Sequence, residues 1–184
     1  MPTYCSIDFG YRQPAVLFLQ TYWDGEIEHI KIFDSILHKK NIKTEDLIKM
    51  IKTKGYPIMS YYGDPAGSNV QGQSGAGDME IFRRSGIRVL STRDRISRNI
   101  VNSVSYTRGF FESADGVRRV HVDSKCVEII EDFEEYRYPE AEDGKPIKEE
   151  PFKDGFHDHG NDAFRYFILN RFPMRNQEMK RIQR

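Results

Sequence analysis

The stretch YCSIDFGYRQPAVLFLQTYWDGEIEHIKIFDSI, residues 4–36, contains three apolar runs separated by turn residues. The first run ends at Asp8 and Gly10, and the Asp24–Gly25 pair separates the second run from the third. An Asp-Gly pair between two apolar runs is a strong signal for a β-hairpin. The chain is therefore expected to begin with three strands that lie antiparallel to one another.

Helices and strands are predicted to alternate through the rest of the chain. The clearest helix begins at the cap residue Thr44 and has Leu47 and Ile51 on its apolar face. The predicted elements after the third strand are a helix over 44–55, a strand over 56–64, a helix over 78–86, a strand over 87–92, a helix over 93–112, a strand over 117–123, a helix over 124–138 and a helix over 158–172. This order predicts an α/β domain with a mixed central sheet and helices on both faces.

The composition is typical of a folded domain. Of the 184 residues, 38% are hydrophobic and 12% are aromatic, which is enough to form a core and excludes a disordered chain. We expect one domain over residues 1–172, followed by a basic and flexible tail over 173–184. Aromatic residues are expected mainly in the core. Examples are Phe18, Trp23, Phe164 and Tyr166.

The sequence shows no signal for export or membrane insertion. No run approaches the roughly 20 apolar residues that span a bilayer. The first residues lack the basic and apolar segments of a secretion signal. The two cysteines, Cys5 and Cys126, are far apart and are expected to be small core residues in a reducing cytoplasm.

The net charge of zero conceals an uneven distribution. Residues 128–150 contain ten acidic and three basic residues, a net charge of −7, which leaves +7 on the rest of the chain. Local patches of one sign, rather than the total charge, determine whether a protein attracts nucleic acid. Five arginines are predicted to form a band that binds DNA phosphates, with a solvated helix face as the alternative. They are Arg83, Arg84, Arg93, Arg95 and Arg98.

Three aspartates are predicted to meet at one edge of the sheet. Asp8 and Asp64 end predicted strands, and Asp162 lies inside the last helix, where aspartate has a poor propensity. Active sites of α/β sheets lie at the carboxyl ends of strands. Taken singly, Asp8 and Asp64 are also ordinary turn residues, so this alternative stays open.

Converging carboxylates raise one another's pKa and need a cation, and hard oxygen ligands favour Mg²⁺ or Mn²⁺. Two such ions, about 3.5–4 Å apart, stabilise both the attacking and the leaving oxygen in phosphodiester cleavage. The acids therefore indicate a metal-dependent nuclease. Their mutual repulsion also predicts that Asp162→Asn preserves or raises the stability of the fold.

The stretch HDHGNDAFRY, residues 157–166, places more ionisable groups beside Asp162. Asp158 is either a helix cap or an accessory group of the site. His159 is either a metal ligand or proton carrier near Asp162, or a histidine that faces solvent.

Three segments, SIDFGYRQPAVLFL, YYGDPAG and HDHGNDAFRYFI, resemble in order and spacing the C-terminal nuclease domain of the large terminase subunit of tailed bacteriophages. The resemblance implies an RNase H-like, RuvC-like fold and an endonuclease that cuts double-stranded viral DNA concatemers during genome packaging. By similarity, Asp8 would bridge two Mg²⁺ or Mn²⁺ ions, and Asp64 and Asp162 would complete the two sites. Asp158 and His159 would be accessory.

The same resemblance implies a setting and partners. They are double-stranded DNA, the terminase ATPase domain, the small terminase subunit and the portal protein, in the cytoplasm of an infected bacterium. No GxxxxGK[ST] phosphate loop occurs in the 184 residues, so the resemblance is confined to the nuclease domain. The glycines at 72, 75 and 77 are interpreted as a mobile loop beside the site.

Two alternative functions stay open at this point. One is a RuvC-like, junction-resolving nuclease of the same superfamily. The other is a non-catalytic DNA-binding module that keeps only the fold, although three intact acids argue against it because unused converging carboxylates are costly to hold together.

Overall fold

The computed structural model describes residues 1–10, 12–64, 77–92, 99–139 and 150–174, which form one sheet and its covering helices. The elements in chain order are β1 (Thr3–Asp8), β2 (Ala15–Asp24), β3 (Ile27–Ile36), α1 (Thr44–Thr53), β4 (Ile58–Gly63), α2 (Asp78–Arg84), β5 (Val89–Leu90), α3 (Ile100–Phe111), β6 (Val120–Val122), α4 (Val127–Glu135) and α5 (Asp158–Arg171). The predicted order of strands and helices is confirmed. Among these helices, none is long and apolar enough to cross a membrane.

The strands form a mixed sheet in the spatial order β5-β4-β1-β2-β3-β6. β1, β2 and β3 pair antiparallel, as the Asp-Gly signal predicted, whereas β4 pairs parallel with β1. β5 and β6 extend the sheet in parallel beside β4 and β3. The carboxyl ends of β1 and β4 therefore meet at one edge near the centre of the sheet, which we call the carboxyl edge.

Helices cover both faces because the central strands are apolar on both sides. All six residues of β1 are buried. Tyr4 packs with α3, α4 and α5, whereas Cys5 and Ile7 pack with α1 and α2 on the opposite face. Cys126 lies in the first of these clusters, so the two cysteines are core residues on different faces, as expected.

The most buried helix is α5, in which every residue from Asp162 to Leu169 is buried. Burial of a side chain such as Phe167 stabilises the fold by about 1.5–3 kcal/mol. A buried hydrogen bond also ties the helix to β1, because the hydroxyl of Ser6 donates to the carbonyl oxygen of Ala163 at 2.6 Å. These contacts fix where α5 lies on the sheet, and hence where Asp162 lies.

Two expectations from sequence are wrong in detail. Thr44 does not cap α1: Lys43 holds the cap position without a side-chain bond, and the Thr44 hydroxyl donates to Asp78. Trp23 is 66% exposed, because it lies near the turn end of β2, beyond the part of the sheet that helices cover. Asp132, one of the ten acids of residues 128–150, is fully buried against α5.

Other predictions fall partly or wholly outside the described residues. The helix predicted over 93–112 is described from Ile100, and Asn99 caps it by accepting the backbone N–H of Asn102 at 3.0 Å. Most of the glycine-rich loop and the tail from residue 175 onward are not described. The boundary between a domain over 1–172 and a tail therefore stays a prediction.

Candidate active site

Asp8 and Asp64 leave neighbouring strands at the carboxyl edge. β1 and β4 pair in parallel with Ile7 opposite Gly63, so the next residue along each strand is an aspartate. Gly63 leaves room for the ring of Phe9, because a Cβ at this position would lie only 2.8 Å from Cε2 of Phe9. The fold therefore places the two acids side by side, although 56 residues separate them in sequence.

α5 brings Asp162 to the same place from the far end of the chain. Burial raises the pKa of Asp8 to about 6. A hydrogen bond with His159 opposes this shift, while the negative charges of Asp162 and Asp64 add to it. Because both charges act on Asp8, the three predicted acids form one interacting cluster.

His159 lies against Asp8. Its Nδ1 atom is 2.8 Å from Oδ2 of Asp8, and this hydrogen bond raises the pKa of the imidazole. The sequence placed His159 beside Asp162, its neighbour on the helix, but its ring reaches across to β1. In this position the imidazole holds the Asp8 carboxylate in one orientation and favours its charged form.

Asp162 is held by two cations. The guanidinium of Arg165 donates to Oδ1 through Nη2 at 2.8 Å and Nε at 3.2 Å, and the ammonium of Lys153 donates to Oδ2 at 2.8 Å. Burial acts to raise the pKa of Asp162, but the two cations outweigh it and lower the pKa. Asp162 is therefore ionised and oriented by the protein itself.

Arg165 and Lys153 were both missed by reasoning from sequence. The spacing of Arg165, three residues after Asp162 on one helix, is a visible signal for an ion pair. Lys153 lies in the segment before α5 and gives no comparable signal, because only the fold shows where that segment runs.

Asp158 has a structural contact of its own. It is the first residue of α5 and is buried, while His157 holds the cap position without a side-chain bond. The Oδ1 atom of Asp158 accepts a hydrogen bond from the backbone N–H of Gly155 at 2.8 Å. Asp158 thus closes the turn that leads into α5, and an accessory role at the site stays a prediction.

The chemistry of the cluster suits a hard divalent cation. The donors are the carboxylates of Asp8, Asp64 and Asp162, with the His159 imidazole beside them, and such oxygen-rich sets favour Mg²⁺ or Mn²⁺. A positive group already binds at Oδ2 of Asp162, namely the ammonium of Lys153. Among the described residues, however, no three acid, histidine or cysteine side chains are arranged to enclose an ion. An ion at Oδ2 of Asp162 would have to replace the ammonium of Lys153 there.

The arginines predicted to bind DNA are described only in part. Arg83 and Arg84 both donate to Glu80 on the same helix, at 2.7–3.0 Å. They lie in the last turn of α2, which packs beside α1, where the ammonium of Lys52 donates to the carbonyl oxygen of Ser85 at 3.0 Å. Their role in DNA binding stays a prediction. Arg93, Arg95 and Arg98 lie outside the described residues.

Two solved structures have a similar fold. The nuclease domain of the g2p large terminase from bacteriophage SPP1, solved with bound Mn, gives a TM-score of 0.62 at 14% identity, over 91% of this chain and 85% of that chain. The P22 large terminase nuclease domain gives a TM-score of 0.65 at 19% identity, over 91% of this chain and 80% of that chain. The predicted RNase H-like sheet with helices on both faces is therefore confirmed as the fold, and the resemblance to terminase nuclease domains is confirmed at the level of structure.

No protein-family model and no curated protein matches the sequence. At 14% and 19% identity, the structural likeness establishes the fold alone.

Proposed function

We propose that this chain is a divalent-metal-dependent endonuclease that cuts double-stranded viral DNA concatemers during genome packaging, as the nuclease domain of a large terminase subunit. The observation that carries the proposal is the convergence of Asp8, Asp64 and Asp162 at the carboxyl edge of a sheet with the terminase nuclease fold. One of the two similar structures was solved with bound Mn, which supports the use of a divalent ion.

Each residue of the cluster has a distinct role in this proposal. Two divalent ions held by the carboxylates would supply Lewis-acid stabilisation to the attacking and leaving oxygens of the phosphodiester. Asp8 would hold the ions together with Asp64 and Asp162, whose charges both act on its carboxylate. His159 orients Asp8, and Arg165 orients Asp162 from the protein interior.

The wider setting follows from the two similar proteins. Both are nuclease domains of phage large terminases. We therefore propose duplex DNA as the substrate, and the terminase ATPase domain, the small terminase subunit and the portal protein as partners. The site of action would be the cytoplasm of an infected bacterial host.

Plasmid cleavage tests the proposal directly. Supercoiled plasmid is incubated with the protein and Mg²⁺, Mn²⁺ or excess EDTA, and nicked and linear products are quantified on gels. Either ion should support cleavage and EDTA should abolish it. Asp8→Asn and Asp64→Asn should be inactive, whereas Asp46→Asn, at an exposed position on α1, should cut like the wild type.

Two outcomes would count against this function. Cleavage in excess EDTA would show that no divalent metal is required. Cleavage by Asp8→Asn would show that the acid cluster is not the catalytic site. A four-way junction cut much faster than linear duplex DNA would instead favour the junction-resolving alternative.

A further inference from the structure

The two carboxylate oxygens of Asp162 have different surroundings. Oδ1 accepts from Arg165, whose side chain is 9% exposed, and Oδ2 accepts from Lys153, whose side chain is 48% exposed. Oδ1 is therefore held from the protein interior, whereas Oδ2 is held by a group that reaches it from the solvent side. An ion or a substrate phosphate would approach Asp162 from that same side.

The backbone around Lys153 is tied on both sides. The N–H of Phe152 donates to the carbonyl oxygen of Arg137 at 2.8 Å, and the N–H of Gly155 donates to Asp158 at 2.8 Å. The side chain of Lys153 can change its direction while its backbone stays in place. Its ammonium therefore remains within the reach of one lysine side chain from the acids.

We propose that Lys153 is a phosphate-binding residue of the active site, which holds Oδ2 of Asp162 before the acids bind an ion and contacts a non-bridging oxygen of the DNA phosphate afterwards. A divalent ion at Oδ2 would repel an ammonium group bound 2.8 Å from the same oxygen. The displaced ammonium would then meet the substrate phosphate as the nearest new anion. Lysine suits this exchange because it carries a compact charge on a flexible stem. The proposal rests on the nuclease function proposed above.

The holding role is tested without DNA. Mn²⁺ is titrated into wild-type, Lys153→Gln and Lys49→Gln protein, and the affinity is measured by calorimetry. Lys153→Gln removes the competing cation, so it should bind Mn²⁺ about three- to tenfold more tightly than the wild type. Lys49 is exposed and pairs with Asp46 on α1, so its variant should match the wild type.

The phosphate contact is tested by cleavage at saturating Mn²⁺. Lys153→Gln should cut about 10- to 100-fold more slowly, the usual effect of losing a hydrogen bond to a charged group. Lys153→Arg keeps the charge and should retain more activity than Lys153→Gln. Thermal melts establish that each variant is folded.

The expected signature is tighter Mn²⁺ binding together with slower cleavage, whereas a damaged fold would weaken both. Unchanged or weaker Mn²⁺ binding by Lys153→Gln would overturn the holding role. Unchanged cleavage by Lys153→Gln, with an active wild type, would overturn the phosphate contact alone. If the wild-type protein fails to cut DNA with any of the ions tested, both the phosphate contact and the nuclease function would be overturned.

Discussion

Gly160 of α5 lies directly against Asp132 of α4: a Cβ added at Gly160 would be 2.2 Å from Oδ2 of Asp132. The other oxygen, Oδ1, is 2.7 Å from Nε2 of His38. Oδ2 is buried without a hydrogen-bond partner among the described residues. The two helices therefore touch only two residues before Asp162, so the packing of α4 helps to position the proposed site.

Gly160→Ala should destabilise the protein by about 1–3 kcal/mol, because the added methyl group must push α4 and α5 apart. Gly109→Ala is the matched control, since Gly109 lies in α3 and a Cβ there meets nothing within 4 Å. That variant should be more stable than the wild type by about 0.5–1 kcal/mol. Urea unfolding measures both changes. Equal stability of the two variants would contradict the close helix contact.

Asp132 should make stability depend on pH. Burial raises the pKa of Asp132 to about 6, although the hydrogen bond with His38 opposes the shift. A carboxyl group with a raised folded-state pKa stabilises the fold below its ordinary pKa, and this contribution is lost as the pH rises through about 6. Relative to Asp132→Asn, the wild type should therefore lose on the order of 2 kcal/mol between about pH 4 and pH 7. Unfolding in denaturant across that range tests this, and a difference that stays constant or grows would disagree with it.

Asp162→Asn should abolish cleavage and lower the stability of the metal-free protein by about 1–3 kcal/mol. The sequence suggested preserved or increased stability, but in the structure the carboxylate neutralises Lys153 and the buried Arg165. Asparagine keeps the size of the side chain and leaves both cations without a counter-charge. Cleavage rates over a Mn²⁺ titration and thermal melts measure the two effects. Cleavage by Asp162→Asn would show that Asp162 is not an essential residue of the proposed site.

Asp158→Asn should retain measurable cleavage. The carboxylate of Asp158 accepts the backbone N–H of Gly155, and an asparagine oxygen can accept the same hydrogen bond. The same assays as for Asp162→Asn apply. Complete loss of cleavage, with normal stability, would instead make Asp158 a primary metal ligand.

Mn²⁺ should stabilise the wild-type protein against heat. An ion that binds only the folded state contributes about 2.7 kcal/mol when its concentration is 100 times the dissociation constant. Asp8→Asn removes one of the carboxylates proposed to hold the ion, so its melting temperature should respond much less to Mn²⁺. Calorimetric scans with Mn²⁺ or EDTA give the comparison. An equal shift in both proteins would place the ion elsewhere.

Local patterns were sufficient to predict the strands of the sheet and to single out three aspartates as candidate site residues. The turn signal at Asp24–Gly25 predicted the antiparallel strands, and the ends of two apolar runs located Asp8 and Asp64. The position of Asp162 in an apolar helix marked it as unusual. These features can be predicted from sequence because they depend only on residues that are close neighbours along the chain.

The missed features depend on segments that are distant in sequence. Lys153 lies in an irregular segment, and only the fold brings its ammonium to Asp162. His159 bonds to Asp8 across 151 residues of sequence, rather than acting beside its helical neighbour. Asp132 reads as one more acid on a polar helix, but tertiary packing buries it against Gly160. Local propensity contains no information on such pairs.

The contact between β1 and the last helix gives the proposed nuclease an order of assembly. Two of its acids, Asp8 and Asp64, come together when the central strands pair, but the third arrives only when α5 docks. Contacts between such distant segments are slow to form, because a long loop must close first. The ability to cut DNA would therefore be gained only after α5 has docked.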